Sequence, residues 1–191
     1  MEQKTLITEQ IVLNQAFIDQ VTEQFMPLPL ATLNQRPSEG SWSILECLEH
    51  INVTTEYYLN QLVAIQSGNS TQDFGQHKAK TSWMVRQFAQ SLRPSASKKI
   101  RFKMKTFKNL EPSNFSGSLD KKVIDHYCTQ HANLLAFCKE ANALNLNQYK
   151  VISAIGKLLT FNIGEALLFL SAHTQRHLQQ CTNTLLIVNK K

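Results

Sequence analysis

"NIGEALLFLSAHTQRHLQQCTNTLLIV", residues 162–188, decides how this chain folds. Ala166, Leu167, Leu170, His173, His177, Cys181 and Leu185 recur at three- and four-residue spacing. That is the pattern of a helix with one inward-facing stripe. Its apolar run "ALLFL", 166–170, falls far short of the roughly 20 residues needed to cross a membrane, so the segment reads as a bundle helix. Two histidines, His173 and His177, lie four positions apart on the stripe. Residues so spaced face one direction with Cβ atoms roughly 5–6 Å apart, so both imidazoles can aim at a single point.

Such a helix needs partners to cover its stripe, and three more long periodic segments supply them. The first runs from Leu6 to Gln24, with Ile11, Leu13, Phe17, Ile18 and Val21 on its apolar side; Pro27 and Pro29 forbid its continuation. The second starts at a legible signal. In "SWSILECLEH" Ser43 is placed as N-cap and Glu46 stands three positions on, which makes a capping box. Trp42 before the cap and Cys47 at the fourth helical position have the spacing of a hydrophobic staple. This helix is expected to stop near Gly68. The third spans Leu119 to Asn142, with Ile124, Tyr127, Cys128, His131, Leu134, Leu135 and Cys138 in register. Four helices of roughly 20 residues can bury one another's faces as a bundle.

Residues 67–117 have no such period. "SGNSTQDFGQ", 67–76, reads as loop, and "SWMVRQFAQSL", 82–92, as a short helix ended by Pro94. "KKIRFKMKTFK", 98–108, alternates like a strand, but one isolated strand makes no sheet, so it is expected to be an extended loop pinned by Ile100, Phe102 and Met104.

The 191 residues, 42% hydrophobic, suit one domain over 1–191 with a real core. The opening "MEQKTLITEQ" has early charges and no apolar h-region, so no signal peptide is expected. A soluble, cytoplasmic protein with no membrane association follows as the expectation. The four cysteines, Cys47, Cys128, Cys138 and Cys181, form no C-x-x-C pair and read as free, mostly buried thiols.

His50 changes the weight of the histidine pair. With Ser43 and Cys47 it shares one face of the second helix, flanked by Leu48 and Ile51, so its imidazole points into an apolar interior. A lone buried histidine must find partners or bear a desolvation cost of a few kcal/mol. Three imidazoles converging on one cation would remove that cost together. The plain alternative is a hydrogen-bonded core histidine.

"RPSEGSWSILECLEHI", 36–51, and "GKLLTFNIGEALLFLSAHTQRHLQQ", 156–180, together resemble the two signatures of the DinB-like superfamily. The first has a Pro- and Gly-containing turn, Trp-Ser, and a helix bearing a histidine. The second has a Gly-Lys-Leu-Leu-Thr lead-in, then H-x-x-x-H followed by Gln. The resemblance implies an all-α fold: a four-helix bundle of DinB-like type with a long basic connection between helices two and three. It implies a divalent metal, zinc or nickel, held by His50, His173 and His177. Characterised relatives include bacillithiol and mycothiol transferases and a mycothiol-dependent isomerase. The implied activity is therefore a metal-dependent transfer of a low-molecular-weight thiol to an electrophilic small molecule. Three imidazoles would leave the ion at least one open position, as in catalytic sites.

Around the trio, Gln180 shares the ligand face and is either a hydrogen-bond partner of the site or a rim residue. Glu46 is better explained by its cap than by His50. Cys181, one turn beyond His177, reads as a small buried hydrophobe in preference to a fourth ligand. Arg176 reads as a solvated surface charge, with an anionic substrate carboxylate as the other reading. His126 and His131, five apart, are rotated roughly 140° and cannot easily share a metal. His77 is given no role, and Trp42 and Trp83 read as packing residues.

The net charge of +6 is local in origin. Ten basic residues and no acid fall between Lys78 and Lys108, while the remainder of the chain is acidic overall. Interleaved with Trp83, Phe88, Phe102 and Phe107, this segment could hold nucleic acid, but it reads more readily as an overhang of the metal pocket that attracts anionic thiols or substrates, or as charge that serves plain solubility. A third possibility is a non-catalytic metal-binding scaffold, for which a fourth protein ligand would speak. A helix face left apolar after the bundle closes would favour a homodimer.

Overall fold

A computed structural model describes residues 1–68, 77–95, 97, 117–154 and 156–190. Its elements are α1 (Gln3–Gln24), α2 (Leu30–Asn34), α3 (Ile44–Ser67), α4 (Trp83–Leu92), α5 (Lys122–Glu140), a 3-10 turn (Ala141–Ala143), β1 (Lys150–Ser153), β2 (Gly156–Asn162) and α6 (Ile163–Val188). The four long helices are those expected. They close a ring in which α1 packs on α5, α5 on α3, α3 on α6, and α6 on α1. The segment 98–108, expected as an extended loop, lies outside the described residues, and with it six of the ten clustered cations.

Local chemistry starts the two helices that carry the histidines. At α3 the Glu46 amide donates to Ser43 Oγ at 3.2 Å and the Ser43 amide to Glu46 Oε2 at 2.7 Å. At α6 the same box recurs with Asn162: the Glu165 amide donates to Asn162 Oδ1 at 2.9 Å and the Asn162 amide to Glu165 Oε2 at 3.0 Å. Each box satisfies two amides that the first helical turn leaves without partners. The α6 box also holds a strap. Asn162 Nδ2 donates to the Lys80 carbonyl at 2.6 Å, and Glu165 Oε1 accepts from the Ser82 amide at 2.7 Å. That strap delivers α4 onto α6.

Two elements escape the sequence pattern. α2 is a single short turn begun at Pro29, with Leu33 buried against α3. The other is the antiparallel hairpin β1–β2, in register Val151 to Phe161 and Ile152 to Thr160, with an irregularity at Ile152/Ser153. A two-stranded hairpin is marginal alone. Here Val151 and Phe161 sink into the core, and α3 ties down the rest. The Tyr58 hydroxyl lies 3.2 Å from Ser153 Oγ and accepts from the Ala154 amide at 3.1 Å. Gln61 Oε1 accepts from the Ile152 amide at 2.8 Å, and its Nε2 donates to the Ile152 carbonyl at 3.2 Å.

The core falls into two clusters. One gathers Tyr58, Leu62, Phe161 and Phe169 near the hairpin; the other gathers Phe25, Ile44, Leu48, Tyr127 and Cys181 at the opposite end. Along α6 the first reaches Ala172 and the second begins at Leu178. His173 and His177 occupy the interval, at the waist of the bundle. All four cysteines are free, and all but the partly exposed Cys128 are buried. Among the described residues no helix is long and apolar enough to cross a membrane.

Candidate metal centre

The start of α3 is fastened to α6, and this sets where His50 sits. Gly40, at φ 71°, turns the chain in "SEGSW" so that Trp42 precedes the cap. The Trp42 carbonyl accepts from Thr184 Oγ1 at 3.5 Å, and the Ile44 carbonyl accepts from the Cys181 thiol at 3.8 Å. Nearly two turns into α3, His50 then faces the imidazole pair of α6.

The three rings meet. His50, His173 and His177 each offer a nitrogen, and these atoms all lie within 4.8 Å of one another. His50 Nε2 and His173 Nε2 are 3.1 Å apart. Ring centroids are 5.0 Å apart for His50–His173, 4.6 Å for His50–His177 and 4.5 Å for His173–His177. All three residues are buried, with exposures of 4%, 9% and 7%.

Electrostatics keep His173 and His177 neutral. Burial pushes the His173 imidazole well below its ordinary range, helped by His50 and by the charge of Arg176. The same holds for His177, where burial leads, the two other imidazoles and Arg176 add to it, and the bond to Gln180 opposes it. Neutral imidazoles keep a lone pair on one nitrogen each, and a lone pair is what a cation binds. Gln180 presents Oε1 to His177 Nδ1 at 3.2 Å. With the amide oxygen turned to the ring, Nδ1 carries the hydrogen and Nε2 is left as the donor atom. This donor set suits a divalent transition-metal ion. The residues present therefore fit a metal ion.

Aromatic rings wall the group. Trp42 stacks on His177 at 5.8 Å and 20°, and meets His50 at 5.0 Å. Phe169 stacks on His173 at 5.6 Å and 26°. Trp42 thus packs as expected, but against the imidazoles, a role that its place just before the Ser43 cap hinted at. Phe169 gave no signal, because an aromatic residue four positions before His173 looks like ordinary helix core.

Several neighbours resolve. Glu46 serves the cap and pairs with Arg36, whose Nε donates to Oε2 at 2.9 Å. Burial would raise its carboxyl, but Arg36 and Ser43 outweigh burial and hold it below the usual range. Cys181 is fully buried beside Cys47 and stands outside the imidazole group. His126 lies 2.9 Å from Gln130 Nε2, and His131 Nδ1 lies 2.9 Å from Asn14 Oδ1, so neither joins a metal group. His77 contributes its backbone carbonyl, which accepts from the Gln3 amide at 2.8 Å.

Two expectations are corrected. Trp83 is not a packing residue: it is 68% exposed, because the buried side of α4 is formed by Ala89 and Leu92. Arg176 is not a solvated surface charge: it is only 8% exposed, because α6 is the central helix, flanked by α1, α3 and α4.

The fold and the three-histidine group define a class, the metal-binding-competent helical bundle. The family model of the DinB superfamily matches residues 16–181, and the chain belongs to that superfamily. No curated protein and no solved structure matches it.

Proposed function

We propose that His50, His173 and His177 hold a divalent metal ion, and that the protein uses this centre to transfer a low-molecular-weight thiol to an electrophilic small molecule. The observation that carries the reading is the convergence of three buried ligand atoms within 4.8 Å. A bound divalent ion would supply Lewis acidity, lowering the pKa of a thiol or water so that a nucleophile exists at neutral pH. Thiol rather than water is what the family resemblance implies.

The chain's own residues prepare the site. His50 comes from α3 and the other two ligands from α6, so no single helix can form the centre. Gln180 selects the His177 tautomer. Trp42 and Phe169 stack on the outer imidazoles, fix their planes and keep bulk water from them. Among the described residues no Cys, Asp or Glu joins the group as a fourth ligand, which supports a site open to a ligand over a closed structural one.

Elemental analysis of protein purified without a histidine tag tests the centre. About one zinc or nickel per chain is expected, with loss in His173→Ala. Equal metal content in the two would sink it. Consumption of a small thiol in the presence of an electrophile, dependent on metal and on His50, tests the chemistry.

A further inference from the structure

Phe88 of α4 is the outermost of three stacked rings that end on a candidate ligand. Phe88 and Phe169 lie 6.0 Å apart, centroid to centroid, with planes 8° from parallel. Phe169 and His173 follow at 5.6 Å and 26°. Stacking at such separations is a preferred contact of flat rings, and it fixes planes as well as positions. Phe169 and His173 are buried, while Phe88 is partly exposed.

The two contacts differ in origin. Phe169 and His173 are four positions apart on α6, so helix geometry brings them together. Phe88 comes from another element and depends on how α4 is seated. The strap bonds from Asn162 and Glu165 bring the start of α4 to the first turn of α6, and Ala89 and Leu92 bury the inner side of α4. Phe169 has two further aromatic neighbours, Tyr58 at 5.4 Å and 46° and Phe161 at 5.7 Å and 29°. Both are fully buried and set the ring from the core side. Phe88 has the plane closest to parallel. The final torsion of a phenylalanine is soft, so a flat neighbour is what holds its plane. Phe169 in turn holds the plane of His173, and a ligating imidazole must keep its orientation for its lone pair to meet an ion.

Resting on the metal-centre reading above, we propose that Phe88 is a positioning residue of the centre: it fixes the plane of Phe169, and through Phe169 that of His173. α4 contains no His, Cys, Asp or Glu, so it serves the centre without supplying a ligand.

Zinc affinity, read by competition against a chromogenic chelator, tests the relay. Phe88→Leu keeps apolar bulk and loses the flat face; it should weaken zinc binding about threefold. Phe88→Tyr keeps the ring and should match the wild type. Phe169→Leu should cost about tenfold. Adding Phe88→Leu to Phe169→Leu should cost nothing more, because residues acting in series do not add. Unchanged affinity in Phe88→Leu, an equal loss in Phe88→Tyr, or a loss that adds in full to that of Phe169→Leu overturns the proposal. Should Phe169→Leu fail to fold, Phe88→Leu and Phe88→Tyr decide it alone. Proton NMR of chelator-treated protein separates the two readings. Phe88 is two rings away from His173, so a shift of the His173 ring protons in Phe88→Leu, absent in Phe88→Tyr, reports a change passed on by Phe169. A chain that takes up no zinc but shows that shift loses the metal centre and keeps the relay; unmoved His173 signals overturn the relay whether or not zinc binds.

Discussion

His50 and His173 stand 123 positions apart in the chain and 3.1 Å apart, Nε2 to Nε2, across the waist of the bundle. Two ring nitrogens at that distance share at most one hydrogen, so at least one lone pair is directed into the space between them. His177 completes the triangle, and Gln180 decides which of its nitrogens faces inward.

Gln180 is therefore expected to tune the centre without touching the metal. Gln180→Ala should weaken zinc binding by about tenfold or more, since removing the partner of a ligating imidazole loosens both its tautomer and its orientation. Gln180→Glu should bind at least as tightly as the wild type, because a carboxylate accepts the Nδ1 hydrogen more strongly. Competition against a chromogenic chelator reads both affinities; unchanged affinity in Gln180→Ala would remove the residue from the site.

His131 predicts an acid-labile fold. Burial holds its imidazole down at about 3, well below the ordinary 6.5. Between those values the unfolded chain takes up a proton that the folded chain refuses. Stability is thus full above the unfolded value, falls as pH drops through it, and levels off below about 3. From pH 7 to pH 5 the cost is about 2 kcal/mol for this one group. His131→Gln can still donate to Asn14 Oδ1 and does not titrate. Urea unfolding of chelator-treated protein at the two pH values should show its stability loss smaller than the wild type's by about that amount. His173 and His177 slope the same way in both proteins and cancel in the difference.

Asn162 should count for more than an ordinary cap. Its side chain accepts from the Glu165 amide and also donates to the Lys80 carbonyl. Losing an N-cap costs about 1 kcal/mol, and the strap contact adds a further hydrogen bond of similar worth. Asn162→Ala is expected to cost about 2 kcal/mol in urea unfolding, with earlier amide exchange at Lys80–Ser82 than in the wild type. A loss confined to about 1 kcal/mol, with exchange there unaltered, would separate the strap from the cap.

Trp83 lies at the other extreme. Its ring is mostly in solvent, so Trp83→Ala should change stability by less than about 0.5 kcal/mol. The same exposed ring, with Phe88 and the four cations Lys78, Lys80, Arg86 and Arg93, is what remains within the described residues of the nucleic-acid reading. A gel shift at physiological ionic strength is expected to show no complex with single-stranded DNA; a salt-sensitive complex lost in Trp83→Ala would revive it.

What the sequence determined by itself is what local rules control. Ser43 and Glu46 begin α3 because a side chain three residues on can reach back to the cap. His173 and His177 share a face because helix geometry alone puts i and i+4 together. The period of apolar residues places the four long helices to within a few positions, and the joint spacing of two motifs points to the superfamily. Tertiary structure decided what depends on distant neighbours. The hairpin has too little apolar alternation to announce itself and exists because Tyr58 and Gln61 of α3 hold it. His131 is neutral because Asn14 and the packed rings of Phe17 and Tyr127 enclose it. Arg176 looks like a surface charge in one dimension and is buried because α6 is surrounded. Burial is a property of everything that packs around a residue, and that is written nowhere near the residue itself.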